Sequence, residues 1–301
     1  MTQPLPFVKG HGTENDFVLL PDPAGRLTLA AAQVAAICDR RAGIGGDGIL
    51  RVVRADADPV AADQAGQAQW FMDYRNSDGS IAEMCGNGLR VFARFLVDEG
   101  LAKPGEFVVA TRGGPRTVRC PESGPVTVDM GEATFPEVGE VRVTVGQRSW
   151  PATAVLMPNP HAVSFIEDLG QAGDLLHAPL VDPPGAFPDG VNVEFVVDAG
   201  PGHLALRVHE RGSGETRSCG TGVCAVVAAA MRAGRVPPGR CTVDVRGGRL
   251  EIETSGYDRV LMTGPAVLVA RGQWLGGNDW ESGRSAWDAA MEISGLGIGS
   301  V

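Results

Sequence analysis

Lysine is almost missing from this chain. Of its 26 basic residues only Lys9 and Lys103 are lysines. A pyridoxal phosphate enzyme needs a Schiff-base lysine. Neither position offers one, since Lys9 lies in a glycine-rich opening segment and Lys103 precedes Pro104 in a polar turn. No cofactor is therefore expected. Long apolar runs are missing too, the longest being Val223 to Met231, far too short to cross a bilayer. Positive charge is in deficit, with 26 basic against 36 acidic residues and a formal net charge of −10. That disfavours nucleic acid and anionic membrane surfaces as partners. Cysteine is sparse, and Cys38, Cys85, Cys120, Cys219, Cys224 and Cys241 form no short-loop disulfide framework. The opening residues lack a basic segment followed by an apolar core, so the expected location is a reducing cytoplasm. Close ligand pairs are absent as well. Zinc sites favour Cys-x2-Cys spacing, whereas Cys219 and Cys224 stand five apart and Cys224 points into a helix core. No metal is expected.

What the chain does contain is a repeated idea. Met84-Cys85-Gly86-Asn87-Gly88 and Ser218-Cys219-Gly220-Thr221-Gly222 each place a cysteine before Gly-x-Gly. Each is followed by a run, Leu89 to Val97 and Val223 to Met231, that is apolar nearly all round and reads as a helix buried on every side. The cysteines are 134 residues apart, close to half the chain. Duplication at that spacing points to two similar domains facing each other across one site. A thiol at a helix N-terminus is expected to have its ionisation eased, and the glycines leave backbone N–H groups free to form a nest for a carboxylate. Two such thiols suit moving a proton from one face of a carbon to the other.

The rest of the chain is rich in strand-like runs. These are Phe17–Leu20, Ile49–Val53, Trp70–Tyr74, Phe107–Thr111, Val126–Met130, Val141–Val145, Thr153–Leu156, Val193–Val197, Leu204–Val208, Thr242–Val245, Leu250–Glu253 and Val260–Met262, bounded by Gly, Pro, Asp and Asn. A further helix is expected over Thr28–Cys38 with Thr28 as N-cap, and Arg54–Gln69 reads as a surface loop. Many strands with few helices indicate an α+β fold, with each domain a curled, mostly antiparallel sheet around a central buried helix. The expected division is 1–132, 133–264 and a tail at 273–301, with a strand near 265–272 returning to the first domain. Trp274, Trp280 and Trp287 suggest that the tail packs on something, such as a subunit interface.

Several polar residues cluster around the two motifs. Glu210-Arg211 lies just before Cys219, where Arg211 could clamp a carboxylate bidentately and Glu210 could receive an ammonium or bias a thiol. His161, in Pro158-Asn159-Pro160-His161, could tune a thiol. Asn15, Asn76, Asn159 and Asn192 form a set of strand-end asparagines. Taken singly, each is only a turn residue.

In this order the segments resemble the diaminopimelate epimerase family over roughly residues 7–271. The likeness rests on Gly12-x-x-Asn15-Asp16-Phe17, Asn76-x-Asp78-Gly79-Ser80 with Met84-Cys85-Gly86-Asn87-Gly88, Asn159-Pro160-His161, Asn192-Val193-Glu194-Phe195, and Glu210-Arg211-Gly212-x-Gly214-Glu215-Thr216-x-x-Cys219-Gly220-Thr221-Gly222. The resemblance implies a cofactor-independent epimerase interconverting L,L- and meso-diaminopimelate in lysine and peptidoglycan-precursor synthesis. It implies Cys85 and Cys219 as the acid–base pair, with His161 and Glu210 tuning them. It implies substrate contacts at Asn15, Asn76, Gly86, Asn87, Asn159, Asn192, Glu210, Arg211, Gly220 and Thr221, and a homodimer. Two positions depart from the family pattern: Gly48 follows Asp47 where many members carry glutamine, and Pro158 stands where glycine is common. The nearest alternative, a proline or hydroxyproline racemase, tends to have histidine after Cys-Gly, where this chain has Asn87. A thiol redox or binding protein is the alternative outside enzymes of this class.

Overall fold

Runs of β-branched residues separated by turns give this chain its sheets, and the pattern of strand pairing occurs twice. The computed structural model describes residues 4–276. The chain passes through β1 (Leu5–Gly12), β2 (Asn15–Pro21), α1 (Ala31–Cys38), β3 (Gly48–Arg54), β4 (Trp70–Asn76), α2 (Gly86–Asp98), β5 (Gly105–Ala110), β6 (Arg116–Cys120) and β7 (Val126–Gly131). It continues through β8 (Val141–Val145), β9 (Arg148–Leu156), β10 (Pro160–Phe165), β11 (Leu180–Asp182), β12 (Asn192–Gly200), β13 (His203–Glu210), β14 (Gly214–Glu215), α3 (Gly220–Arg232), β15 (Gly239–Val245), β16 (Gly248–Thr254), β17 (Val260–Gly264) and β18 (Val267–Trp274).

In the first half β18, β1 and β2 pair antiparallel, β2 runs parallel to β3, β3 antiparallel to β4, β4 parallel to β5, and β5, β6 and β7 antiparallel. The series β8, β9, β10, β12, β13, β15, β16, β17 repeats the same order of senses. Parallel neighbours require a long crossover. The crossover from β4 to β5 contains α2, and that from β13 to β15 contains α3. The equivalent strands β7 and β17 pair antiparallel and join the halves. The result is an α+β fold of two pseudo-symmetric units, each a mostly antiparallel sheet curled around one helix.

The helices are matched in detail. Each has 13 residues and starts after a cysteine in extended conformation, Cys85 at φ −139° and Cys219 at φ −117°. Each ends on a left-handed glycine, Gly100 at φ 68° and Gly234 at φ 69°. There Leu101 N–H donates to Leu96 O at 2.8 Å and Arg235 N–H to Ala230 O at 2.9 Å, the six-to-one bond that closes a helix through a glycine. Residues 86–96 of α2 and 220–230 of α3 are buried. Leu89, Phe92, Phe95 and Leu96 pack with Val223, Val226 and Val227 in one continuous core. Full burial of such side chains stabilises by about 1.5–3 kcal/mol each, which fixes both helix N-termini relative to the sheets.

The structure moves three expectations. The first helix begins at Ala31, not near Thr28, because Gln33 Oε1 reaches back to accept the Ala30 N–H at 2.9 Å while Arg75 Nη1 holds the Leu29 carbonyl at 2.7 Å. The stretch Arg54–Gln69 contains two 3₁₀ turns, and its Ala55, Ala61 and Ala68 are buried with Val53, Phe71 and Ala110. Strands β1, β6, β10, β11 and β14 were not legible, since Gly, Pro, Arg or short length masks their alternation. Trp280 and Trp287 lie outside the described residues, whereas Trp274 ends β18 and packs beside Leu5 and Phe7.

Candidate active site

Both helix N-termini open toward the same place. Gly86 and Gly220 have the Met262 side chain as a common neighbour: a Cβ on Gly86 would lie 2.7 Å from Met262 Cε, and one on Gly220 would lie 3.2 Å from the same atom. Asn87, in the first turn of α2, crosses between the halves. Its Nδ2 donates to Ser218 O at 3.1 Å, beside Cys219, and to Asn15 Oδ1 at 3.2 Å. The Cys85 thiol donates to the same Asn15 oxygen at 3.7 Å and accepts the Gly88 N–H at 3.4 Å. Asn15 Nδ2 is in turn held by Asp47 Oδ2 at 2.8 Å. The structure therefore brings Asn15, Cys85, Gly86, Asn87, Cys219 and Gly220 together.

The second half supplies its own cluster. His161 Nδ1 lies 2.7 Å from Glu194 Oε1 and its Nε2 lies 3.0 Å from Asn159 Oδ1. His161 and Asn192 are register partners across the parallel pair β10–β12. Asn192 Nδ2 donates to Pro160 O at 3.2 Å, and its Oδ1 accepts the Arg211 N–H at 2.9 Å. Glu210 accepts a hydrogen bond from Thr216. Thr221 Oγ1 lies 3.5 Å from Cys219 Sγ. Arg211 is exposed; its Cγ and Cδ lie across Gly190 and its guanidinium donates to Asp189 O at 2.7 Å. Asn76 ends β4, where its Nδ2 donates to Ser80 Oγ at 2.9 Å.

Electrostatics correct one expectation. The helix N-terminus does favour the Cys85 thiolate, through the Gly88 and Asn87 N–H groups, but burial outweighs it and pushes the thiol up to about 11. Burial also pushes Cys219 well above its ordinary range, reinforced by the negative charge of Glu210 and Glu194 and opposed by Thr221 and the Gly222 N–H. Glu210 is itself raised by burial, against hydrogen bonds from Thr216 and Cys219. Both sulfurs are thus thiols at neutral pH in the free protein. Only the thiolate is alkylated. The rate of Cys85 modification by iodoacetamide should rise about tenfold per pH unit between about pH 7 and pH 10, read by peptide mass spectrometry. A rate flat with pH over that range would show the thiol already ionised.

Sequence reasoning passed over several members of the site. Glu194 is fully buried on β12, and apart from its place in the Asn192-Val193-Glu194-Phe195 segment its signal is a lone acid inside an apolar strand. Arg90 is fully buried on α2, donating to Thr13 Oγ1 at 3.1 Å and Pro265 O at 3.2 Å. Burial pulls it down to about 10, so it remains a cation near Cys85. Thr13 and Glu14 form the β1–β2 turn with φ of 51° and 60°, a left-handed conformation that non-glycine residues adopt at some cost. That turn aims Thr13 Oγ1 at Ser218 Oγ, 2.7 Å away, while Glu14 Oε2 accepts from Arg217 Nε at 2.6 Å. Tyr74 is buried beside Asn76.

Solved structures with this architecture are known. A PhzF-family phenazine biosynthesis protein from Bacillus anthracis superposes with TM-score 0.65 at 14% identity, covering 91% of this chain and 100% of that one. A hydroxyproline epimerase from Agrobacterium vitis gives 0.62 at 17% identity, covering 90% and 91%. At such identities the likeness defines the class of fold. The diaminopimelate epimerase family model matches residues 7–136 and 153–269. The diaminopimelate epimerase of Streptomyces coelicolor is 59% identical over 287 residues, covering 92% of this chain and 99% of that protein. That of Acidothermus cellulolyticus is 47% identical, with 89% and 95% covered. The chain belongs to the diaminopimelate epimerase family and is an isomerase of the amino-acid epimerase class.

Proposed function

We propose that this enzyme interconverts L,L- and meso-diaminopimelate without a cofactor, with Cys85 and Cys219 as its two bases. The observation that carries the reading is the convergence of two cysteine-capped helices through Asn87, which hydrogen-bonds both Asn15 and Ser218. One sulfur, as thiolate, takes the α-proton and becomes a thiol. The other thiol gives its proton to the opposite face of the carbanion and becomes the thiolate, so the roles exchange with direction. Free N–H groups at both helix N-termini would receive the α-carboxylate and stabilise the charge that develops on it. Because burial holds both thiols protonated, substrate binding has to favour one thiolate, and the positive α-ammonium, brought beside the sulfurs with the α-carbon between them, does so. Asn76, Asn159, Asn192, Glu210 and Arg211 would hold the distal amino and carboxylate groups, and Gly86, Gly220 and Thr221 would line the α-carboxylate. His161, between Glu194 and Asn159, and Glu210 would tune Cys219.

On this reading the enzyme serves lysine and peptidoglycan-precursor synthesis, in the cytoplasm and as a homodimer. Incubation with L,L-diaminopimelate in heavy water tests it. The meso product should carry one deuterium at the inverted carbon. Recovery of unlabelled L,L-isomer alone, or turnover of proline in its place, would overturn the assignment. Arg211→Lys probes the distal clamp, since an ammonium cannot reproduce a planar two-pronged contact. A loss of about tenfold or more in kcat/KM is expected, that is about 1.4 kcal/mol. A value within about threefold of wild type would remove Arg211 from the clamp.

A further inference from the structure

Gly48 and Asn76 face each other across the antiparallel pair β3–β4, and Tyr74 stands two residues before Asn76 on the same face of β4. The space above Gly48 is taken by the Tyr74 ring. A Cβ at position 48 would lie 2.8 Å from Tyr74 Cε2 and 2.4 Å from Arg75 O. The missing side chain at Gly48 and the ring of Tyr74 are therefore one packing solution. Phe17 supports the ring from below, edge to face at 5.9 Å between centroids.

The phenol is built into the site. Its hydroxyl donates to Asn76 Oδ1 at 2.8 Å. Asn76 Nδ2 is engaged by Ser80, so the carboxamide is fixed at both ends and the phenol proton has a set direction. With that proton committed, Tyr74 Oη can only accept further hydrogen bonds. The Glu210 and Asp47 carboxylates lie within electrostatic reach of the ring and disfavour a negative charge on it. An acceptor oxygen among acidic groups is complementary to a cationic N–H donor.

We infer that Tyr74 is a substrate-binding and specificity-determining residue whose phenol oxygen, oriented by Asn76 and given room by Gly48, accepts a hydrogen bond from an ammonium group of the amino-acid substrate. The inference rests on the epimerase reading above. It adds a contact on the first half of the molecule to the clamp at Glu210 and Arg211.

Tyr74→Phe tests it, because phenylalanine keeps the ring over Gly48 and against Phe17 and removes only the oxygen. Steady-state kinetics with L,L-diaminopimelate and thermal unfolding are measured side by side with wild type. The expected result is a KM raised about tenfold, the usual worth of a hydrogen bond to a charged group, with kcat within about twofold and the unfolding midpoint nearly unchanged. A KM within about twofold of wild type would overturn the inference. So would a fall in kcat and in the unfolding midpoint at constant KM, which would make Tyr74 a packing residue only. Wild-type enzyme inert toward diaminopimelate would reject the epimerase reading itself, and is seen in the same experiment before any variant is compared.

Discussion

Cys85→Ala and Cys219→Ala should each abolish epimerisation and leave a folded protein. A positioned acid or base contributes typically about 10²–10⁴ in rate. A two-base inversion needs both groups in one turnover, so either loss should lower kcat by about 10³ or more. The structural cost is small by comparison. At position 85 the sulfur caps the helix by accepting the Gly88 N–H, and losing such a helix cap costs about 1 kcal/mol. At position 219 the thiol lies beside Thr221, hydrogen-bonds Glu210 and meets the Gly222 N–H, contacts whose loss costs little beside the loss of rate. Serine should not rescue either variant, since its hydroxyl is a far weaker acid. The assay is separation of L,L- and meso-isomers over time, with circular dichroism to verify folding. Turnover near wild type in either alanine variant would exclude the two-thiol mechanism.

Glu194→Ala should produce the second large effect, this time on stability as well as rate. Glu194 and His161 are both fully buried and 2.7 Å apart. Removing Glu194 leaves the buried His161 Nδ1 without its partner, at a cost of about 1–3 kcal/mol. The environment offers no replacement on the helix side. A Cβ on Gly222 would lie 2.6 Å from Glu194 Oε1 and 3.3 Å from Cys219 Sγ, so α3 already approaches as closely as a glycine permits. Activity should fall too, because His161 also carries Asn159 and the Glu194 charge acts on Cys219. Glu194→Gln is the discriminating partner. Its amide keeps the shape and a hydrogen bond to His161, and it should restore most of the stability. Chemical denaturation of the three proteins reads the difference. Equal stability of wild type and the alanine variant would show the pair to be dispensable.

These expectations separate what local sequence carries from what it does not. Twelve strands were legible because their β-branched runs are bounded by strong turn residues; each run overlaps a strand, with ends that differ by up to three residues and, at the start of Arg148–Leu156, by five. The two long helices were legible because Cys-Gly-x-Gly followed by an apolar run leaves little else for the chain to form. The repetition of that motif pointed to two similar units, and the fold is duplicated down to the order of strand senses and the glycine that closes each helix.

Contacts across the sheets were decided elsewhere. Glu194 reads as one acid in an apolar strand until the parallel pairing of β10 with β12 sets it beside His161. Arg90 has no partner legible in the sequence until the sheet closes over it and leaves it donating to Thr13 and Pro265. Thr13 and Ser218 are 205 positions apart, and only the facing of the two halves brings their hydroxyls to 2.7 Å. The ionisation of the thiols belongs to the same category. Sequence placed each cysteine at a helix N-terminus, which lowers a thiol, but how much water the closed halves exclude is a property of the assembled core, and that exclusion prevails. Sequence by itself determined which groups cap the helices and which segments become strands, because those choices depend on neighbours a few residues away. Tertiary structure decided which side chains share a dry space and how they ionise, because burial and cross-strand register depend on residues from about thirty to more than two hundred positions apart.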